Sequence, residues 1–133
     1  MHIGNRIKKI RESVGISRKE FARGIVSYSH LCNIEDGNYN ASEDIMIAIA
    51  EKLNVSADYL IKYNTIDYNL ENLLMYFKSE LDQLNIKDAE TILKTIRNDY
   101  PYITSISQET FLFLLESYYY LSIGEIDVAK EIL

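Results

Sequence analysis

The chain has 133 residues, 47% hydrophobic and 26% charged, with a formal net charge of −6. That size holds one domain or two small ones, and the balance of apolar and charged residues excludes a wholly disordered chain. One proline and five glycines are too few turn residues for a many-stranded sandwich or barrel. The longest apolar run, Ile45–Ala50, falls far short of the ~20 residues that span a bilayer, and no secretory leader pattern is present. A single cysteine, Cys32, forms neither an internal disulfide nor a thiolate metal site. These features predict an all-α, cytoplasmic protein with no membrane segment, no metal and no cofactor.

The net charge hides an asymmetry. Residues 1–25 hold seven Lys/Arg against two acids, residues 26–60 one base against six acids, and residues 61–133 six bases against twelve acids. Overall acidity excludes a non-specific nucleic-acid coat, but it leaves room for a local basic face.

In chain order, Ile3, Ile7, Ile10 and Val14 recur at helical spacing, and Gly15 ends that helix. Ser17-Arg-Lys-Glu20 is a capping box. It predicts a short second helix with Phe21, Ala22 and Ile25 inward, ended near Gly24. Ser27 is the expected N-cap of a third helix reaching about Asp36, with Leu31 and Ile34 as its apolar spine. Ser42 caps a fourth helix containing Ile45, Ile47, Ala48 and Leu53, with Asn54 as its stop, and Ser56 opens a short fifth. Five short helices with tight connections fit a compact bundle over residues 1–62. Residues 63–69, rich in Asn, Thr and Asp, read as a linker.

Residues 70–133 carry longer elements. Leu70, Leu73, Leu74, Phe77, Leu81 and Leu84 fall at helical spacing. Asp88–Arg97 carries Ala89, Ile92, Leu93 and Ile96, and Pro101 ends that segment. Ser107 is expected to open a helix through Leu121 with Phe111, Leu114, Leu115 and Tyr118 inward. Gly124 breaks it before an amphipathic piece, Glu125–Leu133. Tyr118, Tyr119 and Tyr120 point in several directions, so at least one is expected at the surface or in an interface. The two helix pairs repeat: Leu73, Phe77, Glu80, Ala89, Leu93, Ile96 and Pro101, then Phe113, Ser117, Tyr120, Gly124, Ala129 and Ile132, have the spacing of tetratricopeptide (TPR) key positions. Leu84 stands where glycine is usual and Glu80 where tyrosine is. Two such repeats ending in Ile132-Leu133 suggest a shortened solenoid, an exposed repeat face that dimerises, or helices folded back on the first bundle.

Residues 3–61 resemble the λ repressor/Cro-like helix-turn-helix domain of the XRE type. The likeness lies in Ile3-Gly-Asn-Arg-Ile-Lys-Lys-Ile-Arg, Ser17-Arg-Lys-Glu-Phe-Ala, Leu31-Cys-Asn-Ile-Glu-Asp-Gly and Ile47-Ala-Ile-Ala-Glu-Lys-Leu-Asn-Val-Ser-Ala-Asp-Tyr-Leu. Gly24–Gly37 is most similar to the variant in peptide-pheromone-responsive (RNPP) regulators, in which TPR helices follow. The resemblance implies a five-helix DNA-binding domain followed by TPR-like helical hairpins. Its partners would be double-stranded DNA, a second copy of the chain in a homodimer, and a short peptide.

In that fold helix 2 crosses the phosphate backbone and helix 3 enters the major groove. The expected DNA-binding residues are Ser27, Tyr28, Ser29, His30 and Asn33 on helix 3, and Arg6, Lys9, Arg18, Lys19 and Arg23 toward phosphate. Asn33 replaces the family's usual Lys or Arg, and Asn38-Tyr-Asn-Ala lacks its usual base and proline. DNA affinity should therefore be modest, dependent on dimerisation, and less salt-sensitive than that of a heavily basic repressor. Glu35 is expected to be structural. No Gly-rich phosphate loop, HExxH, GxSxG or Cys/His cluster occurs, so no enzyme is expected. The other reading is a shortened interaction module that forms mixed dimers with a full-length regulator and modulates it.

Overall fold

A computed structural model describes residues 2–132. The chain divides into two compact units at the Tyr63–Asn64 bond, and all regular structure among the described residues is helical.

The first unit contains α1 (Ile3–Ser13), α2 (Arg18–Ala22), α3 (Tyr28–Glu35), α4 (Glu43–Leu53) and α5 (Ala57–Ile61). Side-chain caps set the starts of four of them, with His2 Nδ1 accepting from the Asn5 N–H at the start of α1. Ser17 Oγ accepts from the Glu20 N–H, Ser27 Oγ from the His30 N–H and Ser42 Oγ from the Ile45 N–H, each satisfying a donor that the first turn leaves free. Asn54 ends α4 in the left-handed conformation. The core is Ile3, Ile7, Phe21, Ala22, Leu31, Ile34, Met46, Ile49, Ala50, Leu53 and Leu60. Ile25 and Ile47, expected inside, are half-buried.

One glycine sets how closely α1 can lie on α3. A methyl group on Gly4 would meet the Ile34 carbonyl oxygen at 2.1 Å and that of Glu35 at 2.7 Å. Only a residue without Cβ allows this backbone-to-backbone approach.

The second unit contains α6 (Tyr68–Asp82), α7 (Ile86–Asp99), α8 (Ile106–Ser122) and α9 (Ile126–Ile132), packed as two helical hairpins, α6–α7 and α8–α9, with α8 also lying against α6 and α7. Leu70, Leu74, Phe77 and Leu81 of α6, Ala89, Ile92, Leu93 and Ile96 of α7, Ile103, and Leu112, Leu115 and Tyr119 of α8 form one buried cluster. Asp67 already belongs to α6 as its N-cap, its carboxylate accepting from the Leu70 N–H. The buried Gln108 amide accepts from the Asp67 N–H at 3.1 Å and donates to the Asp67 carbonyl at 2.8 Å. The end of the expected linker is thereby fixed to α8.

The two hairpins repeat with an offset of 40 residues. α6 and α8 end at Asp82 and Ser122, α7 and α9 begin at Ile86 and Ile126, and Leu84 and Gly124 occupy equivalent turn positions with φ of 58° and 84°. Leu84 therefore lies outside the helix its spacing suggested, and it is 69% exposed. In the second hairpin Ser117 Oγ donates to the Ala129 carbonyl, a contact that the small size of both residues permits. Leu133 lies outside the described residues.

The register of α8 differs from the sequence expectation. The helix opens two residues earlier than expected, capped by Ser105 in place of Ser107, with Ser105 Oγ accepting from the Gln108 N–H. Its inner face carries Leu112, Leu115, Glu116, Ser117 and Tyr119, whereas Leu114 and Tyr118 are exposed and Phe111 is half-buried. A helix apolar on nearly every side has no periodicity to read. Its orientation is set by Ser117 against α9 and by Glu116, which accepts from the Arg97 guanidinium.

Desolvation raises the Glu116 carboxyl above the usual carboxylate range, and the Arg97 guanidinium only partly opposes this. A raised carboxyl means that folding favours the protonated form. Its contribution to stability is full below the ordinary carboxylate pKa and is lost as pH rises through the raised value. Glu116→Gln should therefore flatten the fall in melting temperature between acidic and neutral pH, measured by circular dichroism. Leu84→Gly should raise stability by about 0.5–1 kcal/mol in urea denaturation, because it relieves a left-handed conformation unfavourable to a side chain and the exposed leucine has little packing to lose.

Candidate nucleic-acid interface

The α2–turn–α3 segment is held from both sides. Between the two helices, Ile25 and Val26 donate back to the Ala22 carbonyl and Gly24 takes a φ of 83°. The tight reversal of the chain here needs that left-handed residue. Lys52 of α4 places its ammonium on the carbonyls of Glu20, Phe21 and Arg23 at 2.8–3.1 Å. A cation at the free carbonyls of a helix C-terminus satisfies them and complements the helix dipole.

Beneath α3 lies a charged cluster. The Glu35 side chain has no solvent exposure and accepts from two arginines. Arg11 donates through Nε at 2.6 Å and Nη2 at 3.2 Å, and Arg18 donates through Nε at 2.6 Å. Arg11 also donates to the Ile16 carbonyl. The Glu35 bond holds the Arg18 guanidinium more firmly protonated than usual, and Arg18 further contacts Asp36 at 3.7 Å and Cys32 Sγ at 3.7 Å. α1, α2 and α3 thus share one buried carboxylate.

On the outer side of α3, Ser27, Tyr28, Ser29 and Asn33 are exposed, Tyr28 at 54%, while Leu31, Ile34 and Glu35 face inward. His30 is partly covered. Its ring meets that of Tyr39 edge to face, with centroids 4.5 Å apart, and its Nε2 is buried without a hydrogen-bond partner among the described residues. Any base contact by His30 would have to use Nδ1.

The expected phosphate contacts fare unequally. Lys9, Lys19 and Arg23 are exposed. Arg6 is not at the surface: it is buried, donates to the Tyr59 carbonyl at 2.8 Å and lies 4.1 Å from the Tyr59 ring centroid. This corrects its expected role, because the guanidinium fastens α1 to α5. Arg18 is mostly engaged by Glu35. Two residues were not anticipated from sequence. Tyr39, an aromatic in the loop after α3, fixes His30. Lys52, two residues before the α4 stop at Asn54, closes α2.

Residues 7–60 match the profile of the helix-turn-helix family. The HTH-type transcriptional regulator ImmR of Bacillus subtilis (strain 168) is 27% identical over 94 residues, covering 70% of this chain and 74% of that protein. The crystal structure of Bacillus thuringiensis PlcR in complex with the peptide PapR7 and DNA aligns with a TM-score of 0.47 and 22% identity over 97% of this chain. The chain spans 44% of the length of that PlcR chain.

Glu35→Ala would strand two buried or half-buried cations, a change that costs about 3–5 kcal/mol. Because this is comparable to the stability of a small domain, the variant should lose the cooperative unfolding transition of the first unit in urea. The five helices of the first unit, with their buried Glu35 ion cluster and exposed α3, are the part of the chain that is similar to the helix-turn-helix family.

Proposed function

We propose that the chain is a sequence-specific transcription regulator that binds a pseudo-palindromic operator as a homodimer, with half-sites about one helical turn apart. The observation that carries this reading is the two-sided character of α3. Tyr28, Ser29 and Asn33 stand free on its outer face, while Leu31, Ile34 and the Glu35 cluster anchor it from within. Asn33 would read an adenine edge, Tyr28 a thymine methyl or sugar, and Ser29 a base or phosphate. Ser27 would bring the helix N-terminus to the backbone. Lys9, Lys19 and Arg23 would neutralise phosphate, with the outer edge of Arg18 as a partly spent fourth contact. The similarity to ImmR supports this reading, since 94 aligned residues extend past the helix-turn-helix domain into the hairpins. The effector implied by the sequence resemblance is a short peptide.

A gel shift with the DNA upstream of the chain's own coding sequence tests the reading. The expected result is a complex competed by that DNA and not by unrelated duplex. Asn33→Ala and Tyr28→Ala should abolish the discrimination while leaving non-specific retention intact. Three exposed cations at about 0.9 each predict a slope of log K against log salt near −2.7 per half-site, and Lys19→Ala should reduce its magnitude by about 0.9. Absence of any shift at low salt would overturn the reading. Capture of a longer relative in its place would point to a module that forms mixed dimers.

A further inference from the structure

The two histidines of the chain stand in opposite hydrogen-bonding situations. His2 accepts the Asn5 N–H through Nδ1 at 3.3 Å, so a neutral His2 ring carries its proton on Nε2. His30 is the reverse. Its Nε2 is buried and has no hydrogen-bond partner among the described residues, whereas its Nδ1 is not closed off. Against this ring lies that of Tyr39, with centroids 4.5 Å apart and planes inclined at 63°.

A neutral imidazole has one N–H and one bare nitrogen. Placing the N–H at the buried Nε2 would strand a donor away from water, an orphan that folded proteins seldom tolerate. The inclination of 63° also falls short of the perpendicular that aims an N–H squarely at a ring face. The proton therefore belongs on Nδ1, and the ring presents one outward donor and no outward acceptor. His30 lies three residues from Ser27 and three from Asn33, both exposed, on one stripe of α3.

We infer that Tyr39 holds His30 in the Nδ1–H form, and that His30 thereby reads a hydrogen-bond acceptor on a base edge in the major groove. Cytosine offers only a donor there, thymine one acceptor, and guanine two, N7 and O6. The base expected opposite His30 is guanine, and cytosine is refused. Tyr39 is a positioning residue, acting through the ring it packs against. The base assignment rests on the proposed function, in which α3 enters the groove. The tautomer does not.

Heteronuclear NMR of the ring nitrogens, on the full chain without DNA, tests the tautomer at about pH 8.5, where an ordinary imidazole is neutral. With two histidines in the chain, His2→Asn assigns both sets of signals. The expected result is Nδ1–H for His30 and Nε2–H for His2. Tyr39→Phe should keep the His30 form, and Tyr39→Ala should turn it into a mixture of tautomers. Helical circular dichroism should stay unchanged in both, since Tyr39 is 44% exposed in a loop. An Nε2–H His30 in the wild-type chain, or a form indifferent to Tyr39→Ala, would overturn the inference and leave the DNA reading standing.

The base assignment is tested on the upstream duplex of the gel shift, each guanine in turn being replaced by 7-deazaguanine, which lacks N7. One replacement per half-site should weaken the wild-type chain about tenfold and leave His30→Ala, already weakened, no weaker. Tyr39→Ala should lose the same preference and Tyr39→Phe retain it. Replacements that all add to the effect of His30→Ala would overturn the base assignment. So would a His30→Ala variant weakened equally on operator and unrelated duplex, the behaviour of a phosphate contact. A wild-type chain that forms no specific complex strikes the proposed function and the base assignment together, and the tautomer result is unaffected.

Discussion

A buried carboxylate held by two arginines is the constraint on which the first unit depends. Glu35 brings one negative charge under α3, and Arg11 from α1 and Arg18 from α2 converge on it. Taking these charges out of water is costly, and what offsets the cost is geometry: three charge-assisted hydrogen bonds to one carboxylate, two of them at 2.6 Å. An apolar contact would tolerate sliding, whereas this cluster fixes the positions of three helices relative to each other. Gly4 adds a steric condition on the same junction, because α1 can reach its place only with its backbone pressed against the carbonyls of Ile34 and Glu35. The outward display of Tyr28, Ser29 and Asn33 follows from where these two constraints leave α3.

The same cluster changes the electrostatics of the proposed DNA face. The basic N-terminal segment looks like a supply of phosphate contacts when charges are counted along the chain. Folding withdraws Arg11 into the Glu35 pair, Arg6 onto Tyr59 and much of Arg18 onto Glu35. What remains outside is smaller than the sequence count, and in the proposed complex it would shift the burden of recognition from charge to the shape and hydrogen bonds of α3. Non-specific affinity comes mainly from phosphate neutralisation, so a depleted cationic face favours discrimination over retention.

The helices of the first unit were legible because their punctuation is local. Ser17, Ser27 and Ser42 cap within three residues of themselves, and Gly15, Gly24 and Asn54 stop within one turn. The repeat in the second unit was legible for the same reason, its turn positions at 84 and 124 taking the same backbone conformation although one is leucine. The inner face of α8 was not legible, because Phe111 through Leu121 is apolar on almost every side and its orientation is decided by Ala129 and Arg97, distant in sequence. The fate of Arg6 and the roles of Lys52 and Tyr39 were hidden likewise. A cation's sequence position does not tell whether a carbonyl, a ring or a phosphate awaits it.

The grip of Lys52 on α2 also bears on how the domain is assembled. α2 has five residues, far too few to persist alone. Its first turn is closed by its own Ser17, but its last carbonyls are closed by an ammonium carried on α4, some thirty residues later. The helix that precedes the turn is thus completed only when the far side of the bundle has docked. A partly formed domain would lack the second helix of its motif, and competence to meet a duplex becomes a property of the whole fold, acquired in one cooperative step.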